Sequence, residues 1–428
     1  MGGEQCMPKE YDIEKLREEV NPVYGTAQSC LQIVAAIGDE DSENLRKVLG
    51  FTEFGADSGD RAANIPPEIL KALRMAMPVF SSLPEARFFS SNRYFIESGV
   101  KTVVDLPCGY TSRGIKLAKS GIRYFGLDLP AVIDKMQPAI QQVAGENENI
   151  VYREVDATNY RSLRNALEGA EGELFITTEG LLMYFTQSEL ETVFGNIRRL
   201  LLAYGGKWVT LDNELSLVQS RSIGAVTKDL PQELAGKIGQ IAAGVVSKTT
   251  LENNVFFDKD KEKARQFVSD MGFDLELVPM KDYMPETIRS YEKLPEDIRK
   301  DALDALQAVN FWVMTARKGT EEDFSQVEKD FSANVKLQDD SLNIVLKGRL
   351  DTISSPGLLA LYREAEGKGT VKNICVDMSE LDYISSAGLR VLLIMRKALK
   401  DDTCFSLINM TGEVRDILET TGFDTIFC

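Results

Sequence analysis

The sequence predicts an α/β protein of two unequal parts, and three observations predict it. From about residue 100 short β-rich runs alternate with amphipathic helical segments, the pattern of a doubly wound, mostly parallel sheet. Four of those runs finish on or just before an acid, at Asp105, Asp128, Asp156 and Glu179. A second, shorter series of strands and helices then occupies the last stretch from about Asn334. At 428 residues the chain is too long for one ordinary core, so more than one domain is the default expectation.

Residues 10–95 read as helices broken by turns, a helical cap ahead of the sheet. One is "AQSCLQIVAAIG", stopping at Gly38; another is "PPEILKALRMAMPVF", with prolines at a helix start. "KTVVDL" is the first strand, "TSRGIKLAKSG" the helix that follows, and "RYFGLDL" the second strand. "IVYREVDA", "LFITTE" and "GKWVTLD" give three more, and "LELVPM" with "NFWVMTARK" a closing pair. Residues 215–255 read as helical and as a lid that sets acceptor specificity. "GTEEDFSQVEKDFSANV" is polar and acidic, so residues 319–331 are expected to be a solvated linker between domains 1–318 and 332–428.

Bulk composition excludes several classes. A formal net charge of −17 argues against nucleic acid and anionic membrane as partners. No apolar run approaches the ~20 residues of a membrane span, so the expectation is a cytoplasmic protein. Six scattered cysteines fit neither a zinc site nor a disulfide scaffold, and no metal site is expected. The chain contains no histidine, which removes Ser-His-Asp triads, histidine bases and histidine metal ligands. An enzyme built from this chain works by positioning, by carboxylates, Tyr or Lys, or through a cofactor.

Ligands of doubly wound sheets bind at the C-terminal ends of the strands, which is where the informative residues fall. The first strand runs into "DLPCGYTSRG", a tight turn through Cys108 and Gly109 that opens a helix. Asp128 follows Gly109 by 19 residues, the place of a carboxylate that takes ribose hydroxyls. Asp156-Ala157 suits an adenine edge, and Glu179-Gly180 closes the fourth strand. Pro107 stands where a first glycine would, and no third glycine follows, so the turn lacks a dinucleotide fingerprint. It suits S-adenosylmethionine, which has no phosphate and asks for close backbone approach.

From roughly Gly25 to Lys318 these segments resemble class I methyltransferases of the leucine carboxyl methyltransferase and polyketide O-methyltransferase group. The matching runs are "GTAQSCLQIVAA", "VVDLPCGYTSR", "GLDLPAVIDK", "VDATNY" and, above all, "TTEGLLMYF". The resemblance implies a Rossmann-like sheet and S-adenosyl-L-methionine held by Cys108, Gly109, Asp128, Asp156, Ala157 and Glu179. It also implies an upstream arginine on the methionine carboxylate, Arg87 with Arg93 as the alternative. Arg113, in "TSR" for the family's "DTR", reads as structural. Tyr184 is a candidate to orient the methyl acceptor and equally reads as a core residue at a strand end. With no histidine base, a carboxylate, an acidic hydroxyl or a soft nucleophile on a small molecule or protein is the favoured acceptor.

In the last segment, "VDMSELDYISSAGLRVLL" places two serines between a buried strand and an apolar helix. A serine there is either an N-cap or an acceptor for a phosphate stabilised by the helix N-terminus. The run from Asn334 to Cys428 resembles a STAS domain, the fold of bacterial anti-sigma-factor antagonists. It carries the strand "LNIVLKGRLD", a helix over Pro356–Glu364, the serine loop, the strand "CFSLINM" and a last helix with Val414, Ile417 and Leu418. The family's D-S-[ST]-G pattern places its phosphorylated serine at Ser386, with Ser385 where the aspartate usually stands. The resemblance implies an anti-sigma kinase or another STAS-binding protein as partner, and a homodimer is compatible with it. Two functional readings follow: a methyltransferase with a STAS regulatory module, or an antagonist-like signalling protein whose methyltransferase domain is a non-catalytic scaffold.

Overall fold

A computed structural model describes residues 24–54, 67–214, isolated positions within 221–236, 254–318 except 293, 331–399, 404–420 and 423. The lid expected over 215–255 and the linker over 319–331 lie almost wholly outside these residues, as does the N-terminal cap before residue 24. The chain forms two compact units, one built on Gly25–Ala157 and Leu163–Thr320, the other on Glu321–Cys428 together with Thr158–Ser162.

In the first unit, helices α1 (Tyr24–Ala36), α2 (Glu40–Val48) and α3 (Pro67–Glu97) precede the sheet. Strands β1 (Thr102–Asp105), β2 (Arg123–Asp128), β3 (Ile150–Glu154), β4 (Leu174–Thr178) and β5 (Gly206–Thr210) follow. Between them run α4 (Arg113–Lys119), α5 (Pro130–Ala144), α6 (Tyr160–Ala166) and α7 (Gln187–Tyr204). After α8 (Lys261–Asp270) come β6 (Phe273–Pro279), α9 (Glu296–Gln307) and β7 (Asn310–Ala316). The sheet order is β3-β2-β1-β4-β5-β7-β6, parallel except for β7, which lies antiparallel between β5 and β6. β1 and β4 are central and buried along their whole length, which is why they read as unbroken apolar runs. The chain winds outward from β1 to β3, then returns to place β4 on the other side of β1. The β1/β4 boundary is therefore the topological switch point.

Two local devices fix this layer. α7 starts in a capping box, with Thr186 accepting from the Glu189 amide while the Glu189 carboxylate accepts from that of Thr186. On α3, Tyr94 stacks on Phe311 of β7 with ring centroids 5.3 Å apart, and Phe95 meets Phe175 of β4 edge-on. Positions 87, 91 and 95 share one helical face. Seating Phe95 on the sheet therefore carries Ser91 and Arg87 to the strand ends.

The second unit is a four-stranded sheet of β8 (Ser332–Gln338), β9 (Ser341–Leu350), β10 (Asn373–Ile384) and β11 (Cys404–Ile408). Its order is β11-β10-β9-β8, with β8 antiparallel to β9 and the other pairs parallel. Helices α10 (Ser355–Lys368), α11 (Ser386–Ala398) and α12 (Gly412–Thr420) complete it. Leu342, Ile344, Leu346, Val376, Leu392 and Phe405 are among its fully buried core. β8 is a strand that the sequence reading omits. Its exposure alternates along its length and it sits at the edge, so only Ala333, Val335 and Leu337 give an apolar signal. Among the described residues, no helix is long and apolar enough to cross a membrane.

Candidate cofactor site

The turn after β1 is built around Asp128. Its Oδ2 accepts the Gly109 amide at 2.7 Å and its Oδ1 accepts the Leu129 amide at 2.7 Å. Gly109 has φ +52°, the left-handed conformation that suits glycine, and this conformation is what aims its N–H at the carboxylate. Cys108 lies beneath, with Sγ 3.9 Å from Asp128 Oδ2 and its amide donating to the Leu127 carbonyl. Asp128 is 7% exposed, and burial pushes its carboxyl up to about 7 despite the two amides that lower it. Oδ1 keeps a further acceptor position, and on Oδ2 only the long thiol contact competes, so a vicinal diol can still be bound.

Across the switch point lies a cluster of ions. Arg113 at the start of α4 donates to Asp105 at 3.0 Å and to Glu179 at 2.7 Å. Arg87 pairs with the other oxygen of Glu179 at 2.9 Å. Asp105 also accepts the Tyr124 hydroxyl at 2.9 Å, and burial raises its carboxyl to about 6. Arg113 is further held by Asn92 Oδ1 and Ser91 Oγ, both at 3.0 Å. One buried and one partly buried cation and two carboxylates thus satisfy one another, which is what makes charges tolerable at this depth.

This arrangement divides the four acidic strand ends, which share no single role. Asp105 is taken up by Arg113 and Tyr124, so it supports the site from below. Arg113 is the structural hub that its position in "TSR" suggests. Asp128 anchors the turn after β1, and Glu179 lies between two guanidinium groups. Asp156 is buried just beyond β3, and the carbonyl of Ala157 accepts from Asn196 at 3.0 Å. Of the two arginines considered for the methionine carboxylate, Arg87 faces this cluster with its side chain 14% exposed, while Arg93 is exposed and pairs with Glu97. Tyr184 is half-buried at the end of a short 3-10 turn, Leu182–Tyr184, that follows Glu179.

The N-terminal helices are fastened to the same turn. Asp39 caps α2 and accepts from Ser112 Oγ, pairs with Lys116, and so ties α2 to the start of α4. Ala27 of α1 stands where a Cβ on Gly109 would come within 3.6 Å. Asp212 is the residue that the sequence reading misses. It lies just beyond β5 and binds three amides of the loop after β4. The available signal was the fifth strand's own acidic end in "VTLD".

In the second unit the two serines have separate places. Ser385 is the N-cap of α11, 1% exposed, its hydroxyl accepting from the Gly388 amide at 3.3 Å. Ser386 is the first residue of the helix and is exposed.

A seven-stranded sheet of this order is typical of the Rossmann-like methyltransferase fold. Residues 70–198 match the family model for leucine carboxyl methyltransferase, and residues 332–427 match that of the STAS domain. BtrV of Bordetella bronchiseptica, assigned as an anti-sigma factor antagonist, is 34% identical over 90 residues, 21% of this chain and 77% of that protein. The chain belongs to the STAS family through its C-terminal unit, and the part ahead of it matches the leucine carboxyl methyltransferase model over residues 70–198. Similar solved structures include magnesium protoporphyrin IX methyltransferase from Synechocystis PCC 6803 with bound SAH. It is 11% identical with a TM-score of 0.33, covering 67% of this chain and 98% of that one. An anti-sigma factor antagonist from Mycobacterium paratuberculosis is 20% identical with a TM-score of 0.22, covering 23% and 83%. S-adenosyl-L-methionine is the cofactor of the leucine carboxyl methyltransferase family.

Proposed function

We propose that the first unit is an S-adenosylmethionine-dependent O-methyltransferase acting on a carboxylate, and that the STAS unit is its regulatory or docking module. The single observation that supports this most is the Asp128 carboxylate. Two backbone amides hold it at the end of β2 with acceptor positions to spare for a ribose diol. The rest of the donor set fits the same cofactor. A guanidinium at Arg87 and a carboxylate at Glu179 suit the two charged groups of a methionine end, and no phosphate-cradling glycine run is present.

When bound, the cofactor supplies an electrophilic methyl group. The chain's own part is to hold the acceptor in line with it, a contribution that reaches ~7–11 kcal/mol in favourable cases. Tyr184, one turn beyond Glu179, is the group assigned to orienting the acceptor. A carboxylate acceptor is ionised at neutral pH and needs no base, consistent with a chain that has no histidine.

Calorimetric titration with S-adenosylhomocysteine tests the reading. Micromolar binding by the wild type, lost in Asp128→Ala, is expected. No binding by the wild type leaves the non-catalytic scaffold as the better account, and equal binding by the variant removes Asp128 from the cofactor site.

For the STAS unit, the exposed Ser386 at the first turn of α11 is the proposed phosphorylation site, since the amides and dipole of a helix N-terminus stabilise an added phosphate. Phosphate incorporation by a cell extract should vanish in Ser386→Ala and persist in Ser385→Ala. Labelling of Ser386→Ala at the wild-type level overturns the assignment.

A further inference from the structure

The segment that leaves β4 carries both Glu179 and Tyr184, yet little in its own backbone holds it. Gly180 turns it through φ +76°, after which the amides of Gly180, Leu181 and Leu182 point the same way. Successive N–H groups of this kind form a nest, a concavity that draws an anion. Here the anion comes from within the chain. Asp212 Oδ1 accepts the Gly180 amide at 2.6 Å, and its Oδ2 accepts those of Leu181 at 2.9 Å and Leu182 at 2.8 Å.

Asp212 is in turn tied to the strand it serves. Its own amide donates to Thr210 Oγ1 at 3.1 Å, and that hydroxyl donates to the Thr178 carbonyl at 2.9 Å. Trp208 adds a third tie, its indole N–H donating to Thr178 Oγ1 at 3.0 Å. The carboxylate is 1% exposed, so water cannot replace any of the three amide bonds if it is lost.

We propose that Asp212 is the positioning residue of this site. Seated in the 180–182 nest, its carboxylate fixes the loop that presents Glu179 to Arg87 and Tyr184 to the acceptor. The link to cofactor binding rests on the methyltransferase reading above, whereas the link to the loop does not. Asp212→Asn is the sharpest probe because it keeps size and shape, removes the charge and turns one acceptor into a donor facing an N–H.

Amide hydrogen exchange on the full chain, free of ligand, reads the loop directly. Asp212→Asn is expected to speed exchange at residues 180–182 at least tenfold while leaving β2 and the 108–110 turn within twofold of wild type. Titration with S-adenosylhomocysteine is expected to show about tenfold weaker binding, and saturating ligand should restore much of the lost protection. Unchanged exchange at 180–182 overturns the proposal, as does exchange that rises equally throughout the unit, because that is general destabilisation. If the wild type binds no S-adenosylhomocysteine, the cofactor reading fails and the loop's exchange still decides the role of Asp212. Should Asp212→Asn not fold, the wild type decides: amides 180–182 exchanging as fast as exposed loop amides overturn the proposal, and strong protection upholds it.

Discussion

Asp128 carries the clearest consequence of burial. Its carboxyl is raised to about 7, and that of Asp105 to about 6, chiefly by removal from water. Both titrate near 3.9 in an unfolded chain. Between those values and pH 7 the folded protein holds protons that the unfolded chain has released, so the favourable contribution of these groups is lost as pH rises. The ligand-free protein is accordingly expected to melt at a higher temperature near pH 5.5 than at pH 8. A ribose diol donates to the ionised form, so binding should expel a proton near neutrality. S-adenosylhomocysteine affinity is then expected to rise between pH 6 and 8, with a binding enthalpy that depends on the buffer's own ionisation enthalpy. A pH-independent affinity would contradict a raised Asp128 carboxyl that ionises as the diol binds. The serine pair gives a second prediction at this scale. Ser385→Ala removes the α11 cap and should cost about 1 kcal/mol in urea unfolding of the STAS unit. Ser386→Ala should stay within about 0.5 kcal/mol of wild type, as exposed substitutions do. Equal losses would mean that the cap is wrongly assigned. The acids and serines were legible because each closes a strand or opens a helix at a recognisable spacing. The partition among the acids was not, because it depends on Arg113 reaching Asp105 and Glu179 from another element.

At the scale of elements, the join between α7 and β5 is the most constrained point of the first unit. The helix ends at Gly205 with φ +78°, and Gly206 follows with φ +103°. A Cβ on Gly206 would lie 2.0 Å from the Leu174 carbonyl oxygen, a backbone atom of the adjoining strand that cannot step aside. Gly206→Ala is therefore expected to cost about 4 kcal/mol or more and to lower expression of soluble protein. Gly195 has nothing within 4 Å of the same added atom, so Gly195→Ala should be neutral or stabilising, as glycine within a helix usually is when replaced. Thermal melts of the two variants side by side check the contrast, and similar melting temperatures would contradict it. Buried parallel strands such as β1 and β4 announced themselves as apolar runs, and their order could be expected from the winding rule. β8 could not be read, since a half-exposed edge strand needs only three small or medium apolar side chains.

For the whole molecule, the second unit holds a core of its own. Its buried cluster runs from Leu342 to Leu418, flanked by partly buried Phe331, Val335 and Phe423. A domain of nearly 100 residues can bury enough surface to fold alone. Residues 331–428 expressed by themselves are expected to unfold in urea in one cooperative transition, with a slope of about 1 kcal/mol per molar. The sheet indicates where that fragment can begin. β8 pairs with β9 at seven consecutive positions, from Ser332 opposite Lys347 to Gln338 opposite Ser341. It also sets Ala333, Val335 and Leu337 against the core. A fragment starting at Asp340 would strip that edge and leave the unpaired groups of β9 open to another chain. It should unfold at lower urea, bind an apolar dye and aggregate with rising concentration. If the shorter fragment is as stable as the longer one, β8 is an ornament to the fold; if neither unfolds cooperatively, the core of this unit is not self-sufficient.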